Sequence, residues 1–215
     1  MAIMSPRDRA LGLAVVLLWG FNFIAIRLGL DHFPPFFFAA LRFAVMAIPV
    51  MLFVRFPKVQ LRWFFLYAVG FGTLQFACLF LAMELGMPTG LASLVLQTSA
   101  PFTVILGVVF LRERMAPLQV IGIVAAVGGM ALIAVDRTAH SSLGVGALLP
   151  IALTVLGGLS WAFGNIGGRL AQPDDALRMT LWMSVIPPIP LYALSLAVEG
   201  PSARFDAVAT LGTHT

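Results

Sequence analysis

The sequence predicts an all-α integral membrane protein, a polytopic helical bundle, and three observations carry that prediction. Hydrophobic residues fill 60% of the 215 positions and charged residues only 10%, too little polar surface to cover a water-soluble globule. Apolar runs of about twenty residues, the length that crosses a hydrocarbon core of about 30 Å, recur between charge, Pro and Gly boundaries. No alternating ten-residue barrel pattern occurs, and an unpaired backbone group in lipid costs several kcal/mol, so these runs must be helices.

Seven runs follow in order. The first, Ala10 to Leu28, is too long for a signal-peptide core and has no small-x-small cleavage site before the next polar stretch. The second, Pro35 to Val54, ends at Arg55, and the third, Trp63 to Leu85, ends at a tight hairpin made by Gly86, Pro88 and Gly90. Leu91 to Leu111 carries Pro101 and stops at Arg112-Glu113-Arg114. Leu118 to Val135 holds Gly122 and Ala126, and Ala125 and Gly129, at small-xxx-small spacing, which predicts close helix packing. Val145 to Leu170 and Met179 to Val198 complete the set.

Basic residues mark one side of the membrane. Arg7 and Arg9 precede the first run, Arg55, Lys58 and Arg62 separate the second from the third, Arg112 and Arg114 follow the fourth, and Arg178 follows the sixth. The opposite loops carry Asp31, His32, Asp136 and Arg137, so the positive-inside rule places the N-terminus in the cytoplasm and the segment with Glu199, Arg204 and Asp206 outside. The net charge of +4 and pI near 10.2 come from scattered arginines without a basic cluster, which excludes a nucleic-acid partner in favour of membrane lipid. Cys78 stands alone in an apolar run, where it reads as a small packing residue.

Sliding the chain on itself by 142 residues aligns Leu17, Trp19, Phe21, Ile24, Arg27 and Leu28 with Leu159, Trp161, Phe163, Ile166, Arg169 and Leu170. The sixth run thus repeats the first. A five-helix unit enters the membrane reversed the second time, giving an inverted repeat with a site near the midplane between the halves. The expected units are residues 1–135 for the first repeat, 145–198 for the start of the second, and 199–215 for a C-terminal tail. Only two helices of the second unit are present, so the chain is expected to be a fragment, a truncated frame, or no true repeat, and its alternative to an exporter is a non-transporting remnant or a subunit completed by a homo-oligomer or by further helices.

Trp19-Gly20-Phe21-Asn22-Phe23, Leu41-Arg42-Phe43 and Gly86-Met87-Pro88-Thr89-Gly90-Leu91-Ala92-Ser93 resemble the EamA family of the drug/metabolite transporter superfamily. Leu111-Arg112-Glu113-Arg114 with Gln119 and Gly122 resembles that family's junction of helices 4 and 5, and Ser160-Trp161-Ala162-Phe163-Gly164-Asn165 resembles the start of its second copy. The resemblance covers the chain to about Val198. It implies ten helices in two inverted units, of which helices 8 to 10 are missing here, and it implies an exporter of amino acids and related metabolites.

Ionisable groups within a bilayer are costly, so each is a functional candidate. Arg42 lies about 10 Å into the second run by helical rise, too deep to snorkel easily. It reads either as an anchor for a substrate carboxylate or as a structural partner of Glu84 or of helix-end carbonyls. Glu84, at the outer end of the third run, reads as a proton-coupling group or as an interfacial residue in solvent. Arg27 and Arg169 lie near helix ends and are expected to snorkel, and Glu113 is expected to lock a cytoplasmic loop, with gating as the alternative.

Uncharged polar groups turn inward for the same reason. Asn22, Gln75, Gln97, Ser99, Thr103 and Asn165 are expected to bind a small-molecule substrate or to serve as interhelical glue. Thr98 and Ser160 belong to the same polar set. Gln97, Ser99 and Thr103 surround Pro101, whose missing N–H frees carbonyls for a ligand. Trp19 and Trp161, one per copy, are expected to wall a cavity or to pack as core aromatics.

Rival classes fail on inventory. The three histidines, His32, His140 and His214, lie in loops or the tail and no Asp lies within a run, so neither a nucleophilic dyad nor a metal centre can be assembled. A seven-helix photoreceptor needs a Schiff-base lysine in its last helix, and the only lysine is Lys58. No cofactor or metal is expected, and no enzymatic activity.

Overall fold

A computed structural model describes residues 5–140, 146 and 148–200. Seven helices among these residues are long and apolar enough to cross a membrane: Pro6–Leu30, Pro35–Phe53, Leu61–Glu84, Thr89–Leu111, Pro117–Asp136, Leu148–Ala171 and Ala176–Val198. Their ends fall within four residues of the apolar runs. The expected start of the sixth run at Val145, and the tail from residue 201 with Arg204, Asp206 and His214, lie outside the described residues.

Helix ends follow ordinary capping chemistry where they meet water. Ser5 and Asp8 form a reciprocal capping box on the first span, and Asp175 caps the seventh by accepting from the Arg178 N–H. The second span starts at Pro34-Pro35 and has no cap of its own. Its two bare first-turn amides are instead taken by the far end of the chain: Phe36 N–H donates to Glu199 Oε1 at 2.6 Å and Phe37 N–H to Glu199 Oε2 at 3.1 Å. A carboxylate there also meets the positive end of the helix dipole. The seventh span is thereby clamped to the second. At the basic end the same two spans are joined by Trp182 Nε1, which donates to the Val54 carbonyl at 3.0 Å. Beside it the loop after the second span joins the loop after the sixth, through Lys58 N–H to Asp174 Oδ1 at 2.9 Å and Asp174 N–H to the Lys58 carbonyl.

The bundle is organised around the sixth span, which packs along the third and the fourth. Its glycines allow backbone to meet backbone. A Cβ on Gly164 would lie 2.7 Å from Phe71 N, one on Gly167 2.7 Å from Tyr67 N, and one on Gly70 of the third span 2.7 Å from the Ser160 carbonyl. Small residues are the usual means of close approach in lipid, where apolar side chains gain nothing by leaving one apolar medium for another. At this contact the third span widens to a π-helix over Ala68–Leu74, with Gln75 N–H bonded to the Gly70 carbonyl.

Two expectations are corrected. The glycine contact was expected on the fifth span, but a Cβ at Gly122, Gly128 or Gly129 would meet nothing within 4 Å, and no residue of that span's apolar stretch is buried. Small residues mark close packing only where their azimuth faces a neighbour. Pro101 was expected to free carbonyls within the fourth span. The helix instead breaks before it, into Thr89–Leu96 and Ser99–Leu111, and the Gln97 carbonyl accepts from Ala100 N–H at 3.0 Å while Thr98 Oγ1 donates to the Val95 carbonyl at 2.8 Å.

Two substitutions test this architecture. Gly164→Ala should lower unfolding stability in detergent by about 1–3 kcal/mol, because its methyl meets unyielding backbone, while Gly122→Ala should leave the melting temperature unchanged. Glu199→Ala should cost about 1 kcal/mol, the typical worth of a helix N-cap, measured in the same thermal melts.

Candidate functional site

A cavity of about 310 Å³ opens among the first, second, third, fourth, sixth and seventh spans. Six of the sequence-predicted residues line it: Trp19 and Asn22 from the first span, Arg42 from the second, Gln75 from the third, Gln97 from the fourth and Trp161 from the sixth. Its walls are otherwise apolar, with Phe23, Phe43, Phe71, Phe76 and Met183 prominent and Ser93 adding a hydroxyl. Phe71 and Phe76 have no sequence signature, since an aromatic residue in an apolar run carries no signal of which face it occupies.

The aromatics form a linked wall. Trp19 and Trp161, the pair related by the 142-residue offset, meet with ring centroids 5.6 Å apart, and Phe71 stands edge-on to Trp161 at 5.3 Å. Phe76 stands edge-on to Phe43 at 5.0 Å and carries the Arg42 guanidinium 4.9 Å from its ring centroid. A guanidinium over an aromatic ring is attracted by the ring's quadrupole. Arg42 Nη1 is buried and has no hydrogen-bond partner. Gln75 is 3% exposed, and its Oε1 is likewise buried without a partner. The cavity therefore sets the side chains of Arg42, Gln75, Asn22 and Gln97 into an apolar, aromatic wall, the usual composition of a small-molecule site.

Glu84 is not the partner of Arg42. It lies exposed at the end of the third span, outside the cavity, and no ion pair joins the two among the described residues. The reason is azimuthal: Ala82 and Met83 take the buried face at that level, which turns Glu84 outward.

Ser99, Thr103 and Asn165 sit elsewhere, nearer the basic end. Asn165 Nδ2 donates to Thr103 Oγ1 at 3.0 Å, and Thr103 Oγ1 donates to the Ser99 carbonyl at 2.7 Å, so the three tie the fourth span to the sixth. Thr103 also borders a second hollow of about 220 Å³, shared with Glu113, Arg114, Gln119 and Arg169. There Arg169 grips Glu113 with both ends of its guanidinium, Nη2 to Oε1 at 2.6 Å and Nη1 to Oε2 at 3.3 Å. Arg112 turns the chain into position with φ of 55°, and Gly107 leaves the space that Glu113 Oε2 occupies. Arg169, expected to snorkel, is thus held in a bidentate pair, and Arg27 is held by Asp31 at 3.1 Å.

Residues 10–135 match the model of the EamA-like transporter family. The chain is 37% identical over 216 residues to a probable amino-acid metabolite efflux pump of Escherichia coli strain K12, covering 99% of this chain and 71% of that protein. The protein of the same name from Salmonella typhimurium matches to the same extent. A probable terminal-alkyne amino-acid exporter of Streptantibioticus cattleyicolor is 32% identical over 149 residues, 67% of this chain and 50% of that protein. No solved structure matches.

Proposed function

The chain belongs to the EamA-like transporter family and is a multi-pass membrane protein, and on that premise we propose that it exports small metabolites, amino acids or their derivatives, by alternating access. The observation that carries the proposal is Arg42, a cation with an unpaired donor, set deep in an apolar cavity between the spans. Carboxylates are the natural complement of a guanidinium. The names of the relatives from Escherichia coli and Salmonella typhimurium support the same substrate class. Nothing in this arrangement calls for bond-making chemistry.

In this reading the protein lies in the inner membrane with its N-terminus in the cytoplasm, as the arginine-rich loops suggest. Substrate enters from the basic end past the Glu113–Arg169 pair and leaves at the end marked by Glu84 and Glu199. The units rock about the wall formed by Trp19 and Trp161, and the proton gradient drives the cycle. A second reading, a chain that works only against a partner, draws on the exposed fifth span.

Arg42→Gln should raise the KM for carboxylate-bearing substrates by roughly tenfold or more, the scale of one lost charge-assisted hydrogen bond. Equal loss for cationic and neutral compounds would mark Arg42 as structural. Uptake of labelled amino acids into inverted vesicles should fall when the pH gradient is collapsed; uptake that persists removes the proton from the mechanism.

A further inference from the structure

We infer that the seam between the fourth and sixth spans is the substrate's entrance from the basic end and that the Glu113–Arg169 pair is its lock; the inference rests on the export reading and deepens it. Both hollows lie on this seam. The larger cavity reaches it through Gln97 of the fourth span and Trp161 of the sixth, the smaller through Thr103 and Val108 of the fourth and Arg169 of the sixth. Thr103 follows Gln97 by six residues and Arg169 follows Trp161 by eight, so the smaller hollow lies about 9–12 Å nearer the basic end by helical rise. Between them the two spans are closed on one another by the Asn165–Thr103 hydrogen bond and by the buried cluster of Leu106, Ala162 and Ile166, with Phe102 packed against it.

Three features place Glu113 where Arg169 can hold it. The fourth span ends with Arg112 at φ of 55°, a backbone region that residues with a side chain rarely adopt. That turn brings Glu113 back over the helix, its N–H donating to the Gly107 carbonyl at 3.3 Å. At Gly107 the missing side chain makes room, since a Cβ there would lie 2.6 Å from Glu113 Oε2. Arg169 then takes both carboxylate oxygens and joins the end of the fourth span to the end of the sixth. Both side chains are about half exposed, 50% for Arg169 and 44% for Glu113, so water competes for each and the net worth of the pair is small. Defined geometry with small net strength suits a contact that opens and closes once in every transport cycle.

The test is cysteine labelling of the full chain in membrane vesicles of both orientations. Ser93, which lines the larger cavity, is replaced as Ser93→Cys, and the chain's one native cysteine is removed as Cys78→Ala. A charged maleimide that cannot cross lipid is then applied to each face in turn. In this background Glu113→Gln should raise the labelling rate from the basic face by about fivefold, the upper worth of an exposed ion pair, and should not raise it from the opposite face. Gly107→Ala should act in the same direction with both charges kept, because its methyl meets only the ends of the Glu113 and Arg169 side chains. An unchanged rate in Glu113→Gln, or an equal rise from both faces, as a merely loosened fold would give, overturns the inference; where that variant does not fold, Gly107→Ala decides on the same terms. Labelled amino acids are followed in the same vesicles. Uptake with labelling unmoved overturns the lock and leaves the export reading, whereas no uptake of any amino acid overturns both.

Discussion

The contact on which this bundle depends is backbone against backbone, where Gly70 of the third span meets Ser160 and Gly164 of the sixth. Lipid gives two apolar helices no reason to leave it for each other, so proximity must come from shape, and only residues without side chains bring main chains this close. The consequences spread outward. With the sixth span pressed into the third, Gly158 comes against Thr98 and Ser99 of the fourth, and Gly72 against Met183 and Pro187 of the seventh. The π-helical stretch Ala68–Leu74 lies at the same level. Its wider turn shifts the azimuth of everything beyond it, and the first residues beyond it are Gln75 and Phe76, which line the cavity.

Polar chemistry is distributed unevenly along the membrane normal. At both ends of the bundle hydrogen bonds are made: Glu199 to two amides, Lys58 to Asp174, Trp182 to Val54, Glu113 to Arg169. Within the spans Thr98, Thr103 and Asn165 are bonded, whereas Arg42 Nη1 and Gln75 Oε1 have no partners. A buried polar atom left unpaired costs about 1–3 kcal/mol.

Much of this was legible because lipid is an exacting solvent. Spans could be counted from runs of about twenty apolar residues, and Arg42, Gln75 and Asn22 stood out since polar groups in such runs are rare. Trp19 and Trp161 could be paired from their shared spacing. Azimuth was illegible. An apolar run that can face either lipid or protein hides which side is which, so the stripe at Gly122 and Gly129 read like that at Gly164, Glu84 read as a neighbour of Arg42, and Thr103 and Asn165 could not be separated from Gln97. The tie from Glu199 to Phe36 was illegible for another reason: they stand 163 positions apart and neither carries a motif.

That long-range tie also has a temporal meaning. A ribosome delivers the second span early and Glu199 late, so the amides of Phe36 and Phe37 enter the bilayer interface bare and stay bare while five more helices are threaded. Interfacial water serves them in the interval. Only when the seventh span has been laid beside the second does the carboxylate displace that water. The clasp therefore makes an early-made helix start depend on a late-made carboxylate for its bonding.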